Sequence, residues 1–339
     1  MVNSSPIKLL PTDDPVAFRR CLSRWFKANA RSLPWRENRS PYYVVVSEFM
    51  LQQTQVKTVI PYYTRWMKQF PDWQALARAK EDRVLKAWEG LGYYSRARNL
   101  HRLAKTVTSE HGSLFPDDPA AMQKLPGIGP YTAGAVASLA FGQSVPLLDG
   151  NVERVFARLF HIRSDIKSPS NQKKLWQLAE TLLPKRNAGA FNEALMEMGA
   201  LVCTPKSPQC LICPAQKFCT APNPENLPVR IRAKAIKLDL TYALITQGNK
   251  IWLLNPEEPG RWKGFHRLPE LNLKQMAKGS KIGSHRFGIT KYRITADIRR
   301  AEWNKKPPTS GKWHDIRTLS DIALPVPIRK MLSMGLTQD

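Results

Sequence analysis

Acidic residues are scarce in this chain. Its 339 residues include 27 Asp plus Glu against 52 Lys plus Arg, for a net charge of +25. A protein this short of negative charge calls for a polyanion, with nucleic acid the first candidate and an anionic membrane surface the second. The shortage is not confined to a tail. About +13 accumulates before Pro222 and about +12 after it, so both halves are candidates for contacting the same polyanion. Long hydrophobic runs are missing too. No stretch reaches the roughly 18 apolar residues that read as a membrane span, and Met1 to Pro11 has no apolar core for a signal peptide. A cytosolic or nuclear setting without a membrane partner follows, where disulfides are not expected. Cysteine is sparse, yet four of the five fall between Cys203 and Cys219. Cys21 stands apart and is expected to be a small buried apolar side chain.

The length suggests two domains. From Asp14 to about Cys219 the pattern is helical, with apolar residues recurring at three and four in Pro15–Asn29, Tyr43–Phe70 and Pro130–Phe141. No internal repeat is present. Ala221 to Pro228 holds Pro222, Pro224 and Pro228 and reads as a linker that breaks helix and strand alike. Beyond it, Leu240–Thr246 and Lys250–Leu254 flank Gln247-Gly248-Asn249 and predict a β-hairpin, and Tyr292–Ile298 alternates similarly. The expected division is a helical domain over 1–220 carrying the cysteine loop at 203–219, a linker over 221–236, and a mixed α+β domain over 237–339.

Four constellations carry chemistry. Leu125-Pro126-Gly127-Ile128-Gly129-Pro130-Tyr131 places two glycines one residue apart, with Pro130 suited to a first helical turn. The turn leaves backbone amides bare at a helix N-terminus, where a phosphate fits. With Asp118–Lys124 as the preceding helix, this is a helix-hairpin-helix that grips a DNA backbone without reading sequence. A plain interhelical turn is the alternative. The second constellation, Cys203, Cys210, Cys213 and Cys219, can make a closed zinc site or hold an iron–sulfur cluster; spacing does not choose. Lys206 and Lys217 in the same loop can present charge to phosphates. The third is Glu48 in the apolar run Ser47–Val56. Burial there would raise its pKa and make it an acid near neutral pH; a solvated helix-face Glu is the alternative. The fourth is Asp149, which follows an apolar run and precedes a helix from about Val152, where a helix cap is the alternative role.

In this order the motifs resemble the endonuclease III superfamily of DNA glycosylases, and within it the MutY-type adenine glycosylases. The resemblance covers nearly the whole chain. It is most specific at Leu33-Pro34-Trp35-Arg36, Ser47–Val56, Gly90–Leu100, the hairpin, Leu148–Val152 and the four cysteines. It implies a [4Fe–4S] cluster on Cys203, Cys210, Cys213 and Cys219. It implies excision of adenine paired with 8-oxoguanine or guanine in double-stranded DNA, by a monomer working in the cytoplasm at a bacterial nucleoid, or in a eukaryotic nucleus. Glu48 would protonate adenine, Asp149 would stabilise the cationic sugar, and Tyr131 and Asn151 would surround them, a two-carboxylate logic parallel to glycoside hydrolysis. The base must leave the stack to reach them. Arg31, Trp35, Arg36, Leu51 and Glu193 would line the adenine pocket. Gln53 and Tyr93 would enter the duplex, and Gly127 and Gly129 would hold its backbone.

Endonuclease III relatives carry a hairpin lysine that attacks the sugar and licenses strand cleavage. Tyr131 stands there, so Schiff-base chemistry has no evident nucleophile. A thymine or oxidised-pyrimidine glycosylase and a catalytically silent iron–sulfur DNA-binding protein are the alternatives. Glu48 and the C-terminal domain argue against the first, and Glu48 with Asp149 against the second. The C-terminal part resembles a Nudix-like lesion-recognition domain through Thr241–Leu254 and Gly260–Pro269. No Glu-rich metal-binding helix follows Pro269, so pyrophosphatase activity is not expected. The family's Phe-Ser-His loop reads 8-oxoguanine. Here Phe287 matches, but Gly288 and Ile289 replace the two polar residues, while Arg286, Lys291, Arg293, Arg299 and Arg300 crowd the region.

Overall fold

The computed structural model describes residues 14–231, 234–271, 279–301 and 310–336. Met1–Pro11, which has no apolar core for a signal peptide, and residues 272–278 of the stretch after Pro269 lie outside them. The helices are α1 (Pro15–Asn29), α2 (Pro34–Glu37), α3 (Pro41–Leu51), α4 (Val56–Gln69), α5 (Trp73–Arg78), α6 (Glu81–Trp88), α7 (Ser95–Glu110), α8 (Pro119–Met122), α9 (Pro130–Leu139), α10 (Gly150–Leu159), α11 (Pro169–Leu182), α12 (Ala188–Leu201) and α13 (Val326–Leu336). The strands are β1 (Ile236–Leu244), β2 (Thr246–Gln247), β3 (Lys250–Leu254), β4 (Gly279–Ile289), β5 (Tyr292–Ala301) and β6 (Gly311–Asp315). Among the described residues no helix is long and apolar enough to cross a membrane.

The chain forms two compact units. One comprises the described parts of Met1–Gln74 and Arg102–Arg232; the other comprises Ala75–His101 and the described parts of Ala233–Asp339. The sequence reading assigned 75–101 to the helical domain. The structure groups it with the C-terminal residues, because Arg329 pairs with Glu89, Arg98 donates to the Lys263 carbonyl, and the Tyr94 and Phe265 rings pack at 4.3 Å.

In the first unit, α3 is apolar all round and buried from Val44 to Met50, which makes it a central core helix rather than a surface one. The helical stretch Tyr43–Phe70 is divided into α3 and α4 by a break after Leu51, where Gln53 takes a left-handed φ of +57°. Such a backbone is costly for a non-glycine residue. The hairpin forms as expected, but its first helix is only α8, capped by the Asp118 side chain on the Ala121 amide at 2.7 Å. Gly127 supplies φ +78° for the turn, and Gly129 caps α9 without any side-chain hydrogen bond. Helix α9 is built of small residues for a reason. A Cβ on Gly134 would lie 2.2 Å from the Pro146 carbonyl oxygen, so only glycine lets the 146–147 segment pass this close. Cys21 is half-buried against the helical core. The linker is not free: Arg158 Nε donates to the Leu227 carbonyl and the Ile166 amide to the Val229 carbonyl, both at 3.0 Å. Its last residue, Ile236, already belongs to β1.

The second unit carries two three-stranded sheets, β1-β5-β4 and β2-β3-β6. The expected hairpin is mostly replaced. β1 runs parallel to β5 with Leu240 opposite Ala296, and only the two-residue β2 turns back onto β3. Local alternation marks a strand but does not name its partner, and β1 finds a longer one in β5. Tyr242, Leu244, Ile251, Leu253, Ile294 and Ile298 share one core with Met331 of α13, which gives the α+β character expected.

Candidate active site

The structure gathers the two carboxylates at one cavity of about 530 Å³ in the helical unit. Glu48, near the C-terminal end of α3, is 5% exposed. Burial pushes its pKa up from the ordinary 4.5 to about 7; a hydrogen bond from Tyr131 opposes this, and Asp149 and Glu193 add to it. Tyr131, at the second position of α9, donates its hydroxyl to Glu48 Oε2. Burial and the neighbouring Glu48 and Asp149 charges hold that phenol well above its usual pKa, so it remains a donor.

Asp149 is both cap and site residue. Its Oδ1 accepts from the Asn151 and Val152 amides at 2.9 and 2.7 Å, so α10 starts at Gly150 rather than Val152. Its Oδ2 accepts from Asn151 Nδ2 at 2.7 Å. Burial raises the Asp149 pKa; these three N–H donors and Arg154 pull the other way. Every hydrogen-bond partner is a donor, which suits an ionised acceptor. Asn151 is held in turn, its Oδ1 accepting from Arg154 Nη2 at 2.9 Å, and Arg154 Nε donates to the Cys203 carbonyl at 2.7 Å.

Opposite these groups, Glu193 of α12 accepts from Arg36 at 3.1 Å and Arg39 at 2.8 Å. One turn on, Glu197 is bound by Arg31 at 2.7 Å and Arg36 at 3.2 Å. Burial works against the Glu197 charge, but the hydrogen bonds from Arg31 and Arg36 hold its pKa down at about 2. Glu197 and Arg39 were missed in the sequence. The signal was there for the first: it lies four residues after Glu193, on the same helix face. Trp35, Leu51 and Gln53 also line the cavity.

The remaining predicted residues belong elsewhere. Tyr93 lies in the second unit, 47% exposed, with a left-handed φ of +48°. Phe287 is not in a loop: Phe287, Gly288 and Ile289 are the last residues of β4, paired with Ile294, Arg293 and Tyr292. The Phe287 ring is half-buried against Trp262 at 5.6 Å. Arg299 and Arg300 also depart from expectation. They are half-buried and donate to the Gly279 and Gly335 carbonyls, which leaves Arg286, Lys291 and Arg293 as the exposed cations.

The four cysteines line a separate hollow of about 260 Å³. Burial raises the thiol pKa of Cys213 to about 11, with the other three cysteines adding to it. Buried Arg158 donates to Cys203 Sγ at 3.2 Å. Among the described residues, no three His, Cys, Asp or Glu side chains close on a single metal ion. Lys206 and Lys217 are exposed.

Residues 46–181 match the HhH-GPD superfamily base excision DNA repair protein family. Over 340 aligned residues the chain is 34% identical to the adenine DNA glycosylase of Buchnera aphidicola subsp. Schizaphis graminum, covering 94% of this chain and 98% of that protein. The chain belongs to the adenine DNA glycosylase family. The human adenine DNA glycosylase is 47% identical over 214 residues, 60% of this chain and 39% of that protein. A thermostable thymine-DNA glycosylase superposes with a TM-score of 0.56 at 31% identity, over 61% of this chain and 95% of that one. An endonuclease III–DNA complex shares the fold, with a TM-score of 0.53 at 22% identity over 63% and 96%. The Buchnera adenine DNA glycosylase likeness therefore spans both units, whereas these two solved structures cover 61% and 63% of the chain.

Proposed function

We propose that this chain hydrolyses the N-glycosidic bond of adenine mispaired with 8-oxoguanine or guanine in duplex DNA. The observation that carries the reading is Glu48, a buried acid with a pKa near 7, facing the same cavity as hydrogen-bonded Asp149. The base flips into the cavity between Trp35 and Leu51. Glu48 gives its proton to adenine N7, and the C1′–N9 bond breaks with its electron pair leaving on the base. Asp149 stabilises the oxocarbenium-like sugar, and water adds at C1′ through its oxygen while its proton passes to the Glu48 carboxylate, which restores the acid. Tyr131 steadies the acid and Asn151 the carboxylate. Gly127 and Gly129 hold the backbone through the hairpin amides, and Gln53 and Tyr93 enter the duplex. Single-turnover excision from duplexes with A opposite G, A opposite 8-oxoguanine, T opposite G, and uracil tests the reading. Activity on thymine or uracil and not adenine would overturn it, and so would activity on none.

Base removal is expected without coupled strand cleavage, because Tyr131 leaves the hairpin without an amine. Borohydride trapping through a lysine at the yield of a bifunctional glycosylase would contradict this.

Cys203, Cys210, Cys213 and Cys219 are proposed to hold a [4Fe–4S] cluster. The four thiols around one hollow fit such a group, which supplies a structural cross-link for the 203–219 loop. Purified protein is expected to absorb broadly in the visible and to contain about four irons per chain. Replacing Cys210 should lower folding yield or DNA affinity before it lowers the chemical rate. Colourless protein with stoichiometric zinc after anaerobic preparation would defeat the assignment.

The 237–339 region is proposed to be a Nudix-like domain that faces the opposite base. Neither Gly288 nor Ile289 has a side-chain donor or acceptor, so preference for 8-oxoguanine over guanine is expected to be weaker than in family members with Phe-Ser-His. The lost discrimination is on the order of 1–3 kcal/mol. A Gly288→Ser, Ile289→His double variant should sharpen it. A Cβ at Gly288 would meet Arg293 Nη1 at 2.7 Å, and that flexible guanidinium can swing aside. Equal discrimination in both proteins, measured as excision of A opposite 8-oxoguanine against A opposite G, would refute the expectation.

A further inference from the structure

Glu153 lies one helical turn past Asp149 on α10 and takes no part in the chemistry above. Its side chain is 4% exposed and lines the same cavity. Oε1 accepts from Lys167 Nζ at 2.7 Å and from Gln172 Nε2 at 3.0 Å. Oε2 lies 3.6 Å from Arg230 Nη2, too far for a hydrogen bond, and has no hydrogen-bond partner among the described residues. Two cations therefore converge on one carboxylate, which neutralises only one of them.

Both cations keep access to solvent, Lys167 at 54% and Arg230 at 38% side-chain exposure. Their placement is built. The residues just before them are joined, Ile166 N donating to the Val229 carbonyl at 3.0 Å, and Gln172 Nε2 also donates to the Ile166 carbonyl at 2.8 Å. Arg230 Nη2 lies 4.0 Å from where a Gly150 Cβ would stand, beside the residue that follows Asp149. Lys167 lines the cavity itself. An ion pair that merely pinned the linker would need one cation, hydrogen-bonded and covered. A base entering the cavity brings its sugar to Asp149 and leaves the flanking phosphodiesters at the mouth, where an ammonium and a guanidinium can make charge-assisted hydrogen bonds.

We propose that Lys167 and Arg230 form a phosphodiester-binding site at the mouth of the cavity, on the strand that carries the excised base, with buried Glu153 positioning both. The site rests on the reading of the cavity as the place that receives the base. Its test is binding to a duplex with a 2′-fluoro-adenosine, which resists excision, opposite 8-oxoguanine, across 50–200 mM salt. Each lost phosphate contact lowers the slope of log K against log salt by about 0.9. Lys167→Gln and Arg230→Gln should each show that change, the double variant about twice it, and Lys167→Arg almost none. Methylphosphonates flanking the target adenosine should lower the wild-type slope and leave that of the double variant unchanged. A wild-type slope in the double variant, with an unshifted melting curve, overturns the site. So does an equal methylphosphonate effect in both proteins. If the double variant does not fold, the two single variants decide by the same criteria. Failure of wild type to excise adenine from the unmodified duplex would instead defeat the proposed function, and the salt slopes would still decide the phosphate site.

Discussion

Glu48→Gln is expected to lower the single-turnover rate of adenine excision by at least about a hundredfold, because general acid catalysis typically contributes about 10²–10⁴-fold. Mismatch affinity should change little, since proton donation acts in the transition state and not in ground-state binding. Glutamine keeps the shape of the side chain, and its carbonyl can still accept from the Tyr131 hydroxyl, but it has no proton to give. The wild-type rate carries the signature of the same group. The protonated form is the active one, so activity falls as pH rises through the Glu48 pKa of about 7, and it falls again at acid pH where Asp149, its pKa raised by burial, takes up a proton. Stability offers an independent check. Between the ordinary 4.5 and about 7 the unfolded chain has lost this proton while the folded chain keeps it. Folding stability therefore drops as pH rises through that window, by an amount on the order of 3 kcal/mol. Glutamine has no such cost, so the variant should melt no lower than wild type at pH 8. A variant retaining more than about a hundredth of the rate would remove Glu48 from its role.

Asp149→Asn separates two functions of one side chain. Asparagine caps helices about as well as aspartate, so α10 should keep its start, but the new NH2 group would face Asn151 Nδ2 where Asp149 Oδ2 now accepts, and the loss of that bond should lower stability by about 1 kcal/mol. The negative charge beside C1′ is gone, however. A preorganised electrostatic group of this kind is worth about 10²–10³-fold in rate, and the variant should lose that much. Asp149→Ala should lose the rate and also about 1 kcal/mol of stability through the missing cap. If Asp149→Asn retained more than about a tenth of the wild-type rate, the residue would serve the helix alone. The comparison is made by single-turnover excision alongside thermal melting.

Much of the helical unit could be read before any coordinates. Pro15, Asp118, Gly129 and Pro130 punctuate their helices where cap and first-turn chemistry require. The apolar run around Glu48 marked a helix, but it left a solvated carboxylate open, and burial became visible only with α3 in the core. The residues predicted for the adenine pocket, Arg31, Trp35, Arg36, Leu51 and Glu193, do line one cavity with Glu48 and Asp149. What stayed hidden were relations at long range. The 240–244 alternation announced a strand, but its parallel partner lies some fifty residues onward. The resemblance to the family's Phe-Ser-His loop implied a loop at Gly288 and Ile289, yet the pairing with β5 carries them to the end of a strand. The assignment of 75–101 to the second unit depends on Glu89, Tyr94 and Arg98, whose partners are more than 160 residues away. Glu153 and Arg230 carry no sequence signal beyond their charge, because nothing local says that the linker comes back to α10.

Gly134 has neither charge nor chemistry, yet it sets the spacing of the catalytic apparatus. It stands three residues after Tyr131 on α9, and the Pro146 carbonyl it accommodates stands three residues before Asp149. A single methyl group at this point would act as a wedge, pushing the helix that carries the Glu48 partner away from the segment that carries the other carboxylate. Proximity effects in catalysis are steep, and misplacement by about 1 Å can cost roughly a hundredfold in rate. An inherited substitution at this glycine would therefore produce the phenotype of an active-site lesion while every reactive group remained intact, and a ranking of variants by side-chain chemistry would pass it over.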